Sequence, residues 1–424
     1  MTLRHLSAGL TLPIPTAPLA GTVEDAPTDE AALAAPPGAA LRVEVAVAEG
    51  EVVAAGAVLA RLRADPAVAL VAPMPGRVAA VRLRPGRRLD EIVLFHEPGG
   101  DRLRHDTAAA GVDDAALRAL MQTAGFWPLL RRRPFGGMPA GGEVPAAIAV
   151  MAVDTNPLAP DPARALEGRQ EDFARGLDAL ARLTAGPVLL CQPAGAALAD
   201  AGAARGRLRV LACGPRHPQG LAGIQMHRHF PASVERPVWD IHAEDVAGLG
   251  ELLATGHPPA GRLVMVAGPA LNGTRLVRCQ AGADLRGLTH GVVRPGPHRL
   301  LSGSALDGRE GRWLGWRDRQ VTVLPRADAP PRPHWFRAAL THAARPRPLI
   351  PTAALDQALG GTLPAAALVR ALGAGDDETA LRLGALSLLE EDLALADYVT
   401  AAEPRLALRL REMLDRIAAE EGAP

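Results

Sequence analysis

The chain has 424 residues, enough for about three domains at ~150 residues each, and its 46 basic and 46 acidic side chains give a formal net charge of zero. That balance argues against a dedicated nucleic-acid binder, which carries excess base. No lysine occurs, so every fixed positive side chain is arginine; this excludes a Schiff base, a phosphate-loop lysine, and a biotinyl- or lipoyl-lysine.

Residues 1–40, rich in Pro, Gly and Ala, read as irregular, and MTLRHLSAGLTLPIP lacks the apolar core of a signal peptide. From Leu41 the texture changes. VEVAVAEGEVVAAGAVLARL reads as short strands broken by Gly50 and Gly56, and VALVAPMPGRVAAVRL repeats the rhythm around Pro73, Pro75 and Gly76. Strand, glycine turn, strand, twice over, implies a small all-β unit within residues 1–104. The phrases Glu49-Gly50-Glu51-Val52 and Ala72-Pro73-Met74-Pro75-Gly76-Arg77-Val78 resemble barrel-sandwich hybrid domains of the biotinyl/lipoyl type. Carriers of that fold hold a lysine on an exposed hairpin; without one, the fold is expected and the swinging arm is not.

Residues 105–262 carry the pattern of an α/β domain. Helical signal starts near Asp113, with Leu117, Leu120 and Met121 on one face and Gly125 to end it. Gly125 to Phe135 follows, with Arg131, Arg132 and Arg133 flanked by aromatics and prolines: a docking patch or a solvated loop, and too bulky for a phosphate-binding turn. AAIAVMAV is a buried strand. Asp161 can cap the next helix, with Pro162 at its first position; Leu166, Phe173, Leu177 and Leu180 share a side, and Glu171 and Arg175 stand four apart. PVLLC, LRVLA and VWDIH are further strands, a helix covers residues 244–254, and LVMVAG continues the alternation. Strands separated by crossover-length segments call for a Rossmann-like parallel sheet covered by helices.

Residues 263–327 then form two β runs around a short helix capped by Asp284, a β-grasp unit of the SLBB type. RADAPPRPHW (326–335) reads as linker. Residues 328–424 form a helical tail, ending in a helix with Leu406, Leu410, Met413, Leu414 and Ile417 on one stripe. Glu390-Glu391-Asp392 reads as a solvated helix face or a helix start.

Few motifs carry chemistry. Cys191, Cys213 and Cys279 are scattered, with no C-x-x-C, so local cysteine pairs for zinc or iron–sulfur are absent; their sparse, odd number suits a reducing compartment. No run reaches the ~18 apolar residues of a spanning helix, and neither G-x-G-x-x-G nor a phosphate loop is present. His217, His227 and His229 are the candidate site: the last two would share a face on a strand. Without an interleaved acid, hydrogen bonding to a backbone or to a quinone carbonyl suits the three better than a metal. Ser302-Gly303-Ser304 lacks the surroundings of a nucleophile elbow.

The order of modules, together with several segments, resembles the A-subunit family of the Na+-translocating NADH:quinone reductase (Na+-NQR). The segments are Gly9 to Ile14, Phe126 to Phe135 with its Arg-x-Arg-Pro-Phe core, Asp154-Thr155-Asn156-Pro157-Leu158-Ala159, Glu171-Asp172-Phe173, Gly268-Pro269, Leu301 to Ser304 and Glu390 to Leu395. The resemblance implies a peripheral subunit on the cytoplasmic face of the bacterial inner membrane, packed on membrane-embedded partner subunits. It implies ubiquinone as substrate, no covalently bound cofactor, and NAD and flavins on other subunits. Quinone binding would fall to His217, His227 and His229, and partner contact to Arg131, Arg132 and Arg133. Two rivals are a non-catalytic scaffold and a divergent relative of the Rnf complex's C-type component, which the missing glycines and cysteines oppose.

Overall fold

The computed structural model describes residues 8–326, apart from 37 and 201, and residues 352–421. Eight strands come first: β1 (Leu19–Asp25), β2 (Glu30–Ala34), β3 (Val43–Val45), β4 (Val52–Val53), β5 (Val58–Leu62), β6 (Ala69–Val71), β7 (Gly76–Arg84) and β8 (Arg88–His96). Strands β2–β8 form two small antiparallel sheets, ordered β2-β8-β7-β4 and β3-β5-β6. Their inward residues, among them Val43, Leu59, Leu70, Ile92 and Leu94, are buried together. Gly50 and Gly56 both hold positive φ, as the tight turns demand. This is the barrel-sandwich unit expected from the repeated strand–glycine rhythm.

Strand β1 departs from expectation twice. Residues 1–40 read as irregular, yet Leu19–Asp25 and Glu30–Ala34 are both strands, and the first belongs to a different sheet. Its partner is the parallel strand β15 (Thr274–Cys279), far downstream. A lone segment that includes Gly21 has little strand signal of its own; the ladder is supplied from outside.

The α/β domain runs through α1 (Asp114–Thr123), β9 (Arg131–Arg133), β10 (Ala147–Met151), α2 (Pro162–Leu166), α3 (Gln170–Arg182), β11 (Val188–Pro193), β12 (Leu208–Cys213), α4 (Ala222–His229), β13 (Val238–His242) and α5 (Ala243–Thr255). Asp113 and Asp161 cap α1 and α2 by accepting from the backbone N–H of Ala116 and Ala163. Strand order is β12-β11-β10-β13-β9, parallel except for the antiparallel edge β9. Every residue of β10 is buried, as expected for a strand covered on both faces. Helices α3 and α5 touch backbone to backbone: a Cβ on Gly176 would strike the Val246 carbonyl, and one on Gly250 the Asp172 carbonyl. Arg175 pairs with Asp172 at 2.7 Å and donates to the Gly250 carbonyl, not to the expected Glu171. The segment Gly125–Phe135 is not a βα turn. It precedes the parallel strands and ends in the edge strand β9; the first βα turn is 152–161.

Next come β14 (Arg262–Ala267), β15, α6 (Leu285–Thr289), β16 (His298–Ser302), β17 (Arg309–Glu310) and β18 (Gln320–Pro325). They join β1 in a six-stranded sheet ordered β1-β15-β14-β18-β16-β17. LVMVAG thus leaves the α/β alternation and opens the β-grasp unit, with Asp284 capping α6. The expected linker lies, beyond Arg326, outside the described residues. The tail comprises α7 (Ala353–Ala358), α8 (Ala365–Ala374), α9 (Asp377–Arg382), a 3-10 turn at Glu390–Leu393, α10 (Ala394–Thr400) and α11 (Leu406–Glu420). The stripe from Leu406 to Ile417 is buried, so it is a core face.

Candidate functional site

Strand order reverses around β10, so the carboxyl ends of β10 and β13 form the switch point where such sheets hold ligands. Here the chain fills that crest itself. Asp154 accepts from the Asn156 N–H at 2.8 Å, and the Thr155 hydroxyl accepts from the Gly220 N–H at 2.9 Å. Thr155 also meets His217 Nδ1 at 3.4 Å. Burial pushes the Asp154 carboxyl up to about 6, and the buried Asp307 carboxyl adds to this. At the start of α5, where a helix N-terminus would favour a phosphate, stand Glu244 and Asp245. Both pair with Arg319, at 2.7 and 2.6 Å, and Glu244 accepts from the Leu263 N–H at 2.7 Å. His242 caps the helix by accepting from the Glu244 N–H; burial and then Arg319 push it down to about 3, so it is neutral.

The three candidate histidines are split between a loop and a helix. His217 is buried in a loop, its backbone bridged both ways to Leu10, and burial pushes it down to about 4. His227 and His229 sit in the last turn of α4, not on a strand. Two residues apart on a helix they point about 200° from each other. His227 lies against Gly384 of the tail, and His229 is half-buried with its pKa lowered by burial and then by Arg228. The sequence pattern misled because α4 is short and its polar end carries no apolar period.

The arginine triplet is corrected too. Arg133 is fully buried and Arg132 nearly so. Arg133 bonds Asp240 Oδ1 at 3.2 Å, Asp392 Oδ2 at 2.9 Å and Glu391 Oε1 at 3.0 Å. Arg131 bonds Asp240 Oδ2 at 3.1 Å and Glu391 Oε1 at 2.7 Å, and Arg132 bonds Glu143 at 2.9 Å. The triplet is therefore no surface patch: it ties β9 and β13 to the chain's own tail. Glu390-Glu391-Asp392 is a helix start, as one option had it, but Asp392 is fully buried. Burial alone would raise Glu391; Arg131 and Arg133 override it and hold that carboxyl at about 2.

Space for a ligand opens elsewhere. A cavity of about 470 Å³ lies where the barrel-sandwich, α/β and β-grasp units meet. Leu70, Met74, Phe126, Leu129 and Ala281 supply apolar wall, and Arg262, Asp245 and Trp316 are among its polar lining. Arg262 donates to the Trp316 carbonyl; burial, then Arg319, lowers its pKa to about 10, so it stays charged at neutral pH. Cys279, also in the wall, is pushed up to about 12 by burial and is a neutral thiol. Residue-by-residue reading missed this cavity because its walls come from segments far apart in the chain. The one local hint is the Pro258-Pro259-Ala260-Gly261 run, which forms part of the lining.

Three family models match the chain: the NqrA N-terminal barrel-sandwich hybrid domain over residues 5–97, the NqrA second alpha/beta domain over 112–258, and the NQRA C-terminal domain over 263–312. The A-type component of the Na(+)-translocating NADH-quinone reductase of Pasteurella multocida is 32% identical, the match covering 98% of this chain and 99% of that one. The chain belongs to this NqrA family, and so to a component of an NADH-quinone reductase complex. A second member, from Vibrio campbellii, is likewise 32% identical over 98% of this chain and 99% of its own. A solved NAD+-reducing [NiFe]-hydrogenase in the H2-reduced state shows a looser likeness, with 13% identity, a TM-score of 0.36, and coverage of 73% of this chain and 62% of that one. Among the described residues no helix is long and apolar enough to cross a membrane, and no group of three or more metal-ligating side chains gathers.

Proposed function

We propose that this NqrA-family chain is a peripheral part of a Na+-pumping NADH:ubiquinone reductase, held on the cytoplasmic face of the membrane by partner subunits. NAD and the flavins are then carried by those partners, and this chain contributes to the quinone side. The observation that carries the quinone half is the junction cavity. A ubiquinone ring needs an enclosed apolar slot with one or two donors for its carbonyls. The cavity has apolar walls, and Arg262 is one of several arginines that line it. This moves the proposed seat away from His217, His227 and His229, none of which lines the cavity.

Trp316 in the wall gives a direct readout. Titrating the purified protein with a short-chain ubiquinone should quench tryptophan fluorescence saturably. Ala281→Trp, which fills the slot, should weaken binding at least about tenfold, the scale of a lost buried contact surface. Binding that survives Ala281→Trp unchanged but fails in His217→Ala would return the seat to the histidine loop. The scaffold alternative, partner binding through Arg131–Arg133 and the C-terminal helices, keeps the helices but gains little from Arg132 and Arg133, which are buried within the chain itself.

A further inference from the structure

The net charge is zero, but the arginines are not spread evenly. Residues 82–88 read Arg-Leu-Arg-Pro-Gly-Arg-Arg, with no acid, and they form the tip of the β7–β8 hairpin. All seven are exposed. Arg84 stands directly opposite Arg88, and Arg88 is bridged to Arg42 on the next segment. Arg42 in turn accepts, through its carbonyl, from the Arg63 N–H at 2.9 Å. Like charges facing each other across a ladder destabilise it. Two arginines at this end are compensated, Arg82 by Glu91 and Arg84 by Asp90. Arg42, Arg63, Arg87 and Arg88 make no ion pair among the described residues. Leu83, 37% exposed, lies between the two compensated arginines, Arg82 and Arg84.

Exposed arginines without carboxylate partners, on a hairpin tip that also exposes a leucine and on the segments paired to its base, have the chemistry of a contact with phosphates at an apolar boundary. We propose that the β7–β8 tip docks on an anionic phospholipid surface. Arg42, Arg63, Arg87 and Arg88 would engage lipid phosphates, which guanidinium binds in a bidentate fork, while Leu83 enters the headgroup–acyl boundary. An acidic protein or nucleic acid would supply the charge but gives Leu83 no place, and the tip has no aromatic side chain on which bases could stack. The inference does not use the quinone seat.

The test is co-flotation of the full chain with phosphatidylcholine vesicles, with and without phosphatidylglycerol. Binding is expected only with the anionic lipid, and it should weaken as salt rises. Arg87→Ser/Arg88→Ser should lower the partition about 30-fold, roughly fivefold per charge. Leu83→Ser should lower it about fivefold, the worth of a partly inserted leucine. Arg87→Lys/Arg88→Lys keeps the charge and should retain most of the binding, which separates loss of charge from loss of fold. Equal binding to neutral vesicles, or wild-type binding by the double serine variant, overturns the proposal. So does a preference for RNA or polyglutamate over vesicles that Leu83→Ser leaves unchanged.

Discussion

Two arginine-rich segments of this chain meet opposite fates. Arg131-Arg132-Arg133 and the run from Arg82 to Arg88 are similar in composition, and each lies on or beside a strand. The first is largely buried; the second is wholly exposed. What separates them is the supply of carboxylates. Asp240 meets Arg131 and Arg133 from the adjoining strand, and Glu391 and Asp392 meet them from the tail. The hairpin tip has only Asp90 and Glu91. A guanidinium can be taken out of water only where enough fixed acid is there to receive it. Burial is thus decided by residues more than a hundred positions away.

The sharpest way to break this contrast is at Arg133. Arg133→Met keeps much of the length of the side chain, leaves Asp392 buried without its cation and takes one of two arginines from Asp240. The expected loss of stability is about 3–5 kcal/mol, with the tail becoming sensitive to protease before the rest of the chain. Denaturant unfolding with limited proteolysis measures both. A change under about 1 kcal/mol would mean that the carboxylates find other partners or protonate at little cost.

Acid titration comes next. Glu391 lies at about 2 in the folded chain, below its unfolded value, so its contribution is complete above the ordinary carboxylate range of about 4 and is lost as pH falls toward 2. The pH dependence of unfolding should therefore steepen on that limb. Glu391→Gln should flatten it and cost about 1–3 kcal/mol at neutral pH, the scale of a charge-assisted hydrogen bond. Asp154 supplies the opposite case. The groups acting on it are Asn156 and Asp307, not an arginine, and burial carries it up to about 6. A raised carboxyl contributes most below its unfolded pKa, and that stability fades as pH rises through 6. Asp154→Asn preserves the acceptor for the Asn156 N–H. It should stabilise the chain by about 1–2 kcal/mol at pH 7 and leave pH 4 nearly unchanged. The same melts with both variants test what an opposing arginine does to a buried carboxylate.

The elements that depend on near neighbours were legible before the structure. Strand–glycine rhythm marked the barrel-sandwich unit, Asp161 and Asp284 marked helix starts, and the apolar stripe from Leu406 marked a core face. Each of these rests on contacts within a few residues. What could not be read rests on pairing across the chain: β1 against β15, the arginine triplet against the tail, and a cavity walled by several distant segments. The histidines fall between. His227 and His229 alternate as a strand would, and only the packing of α4 against the tail makes them helical and sends them apart.

The smallest expected effect completes the contrast between the two arginine groups. Arg88→Ser removes an exposed charge that faces Arg84 across the ladder and whose Nε donates only to the Pro85 carbonyl. An exposed substitution away from any packed feature stays within about 0.5 kcal/mol, and relief of like-charge repulsion should make the sign stabilising. That gain should shrink at high salt, since exposed charges are screened, whereas the Arg133→Met loss should persist because its partners are buried. A destabilising Arg88→Ser, insensitive to salt, would show that the tip arginines hold the hairpin together, and the distinction between an arginine kept for the fold and one kept for a partner would fail at this site.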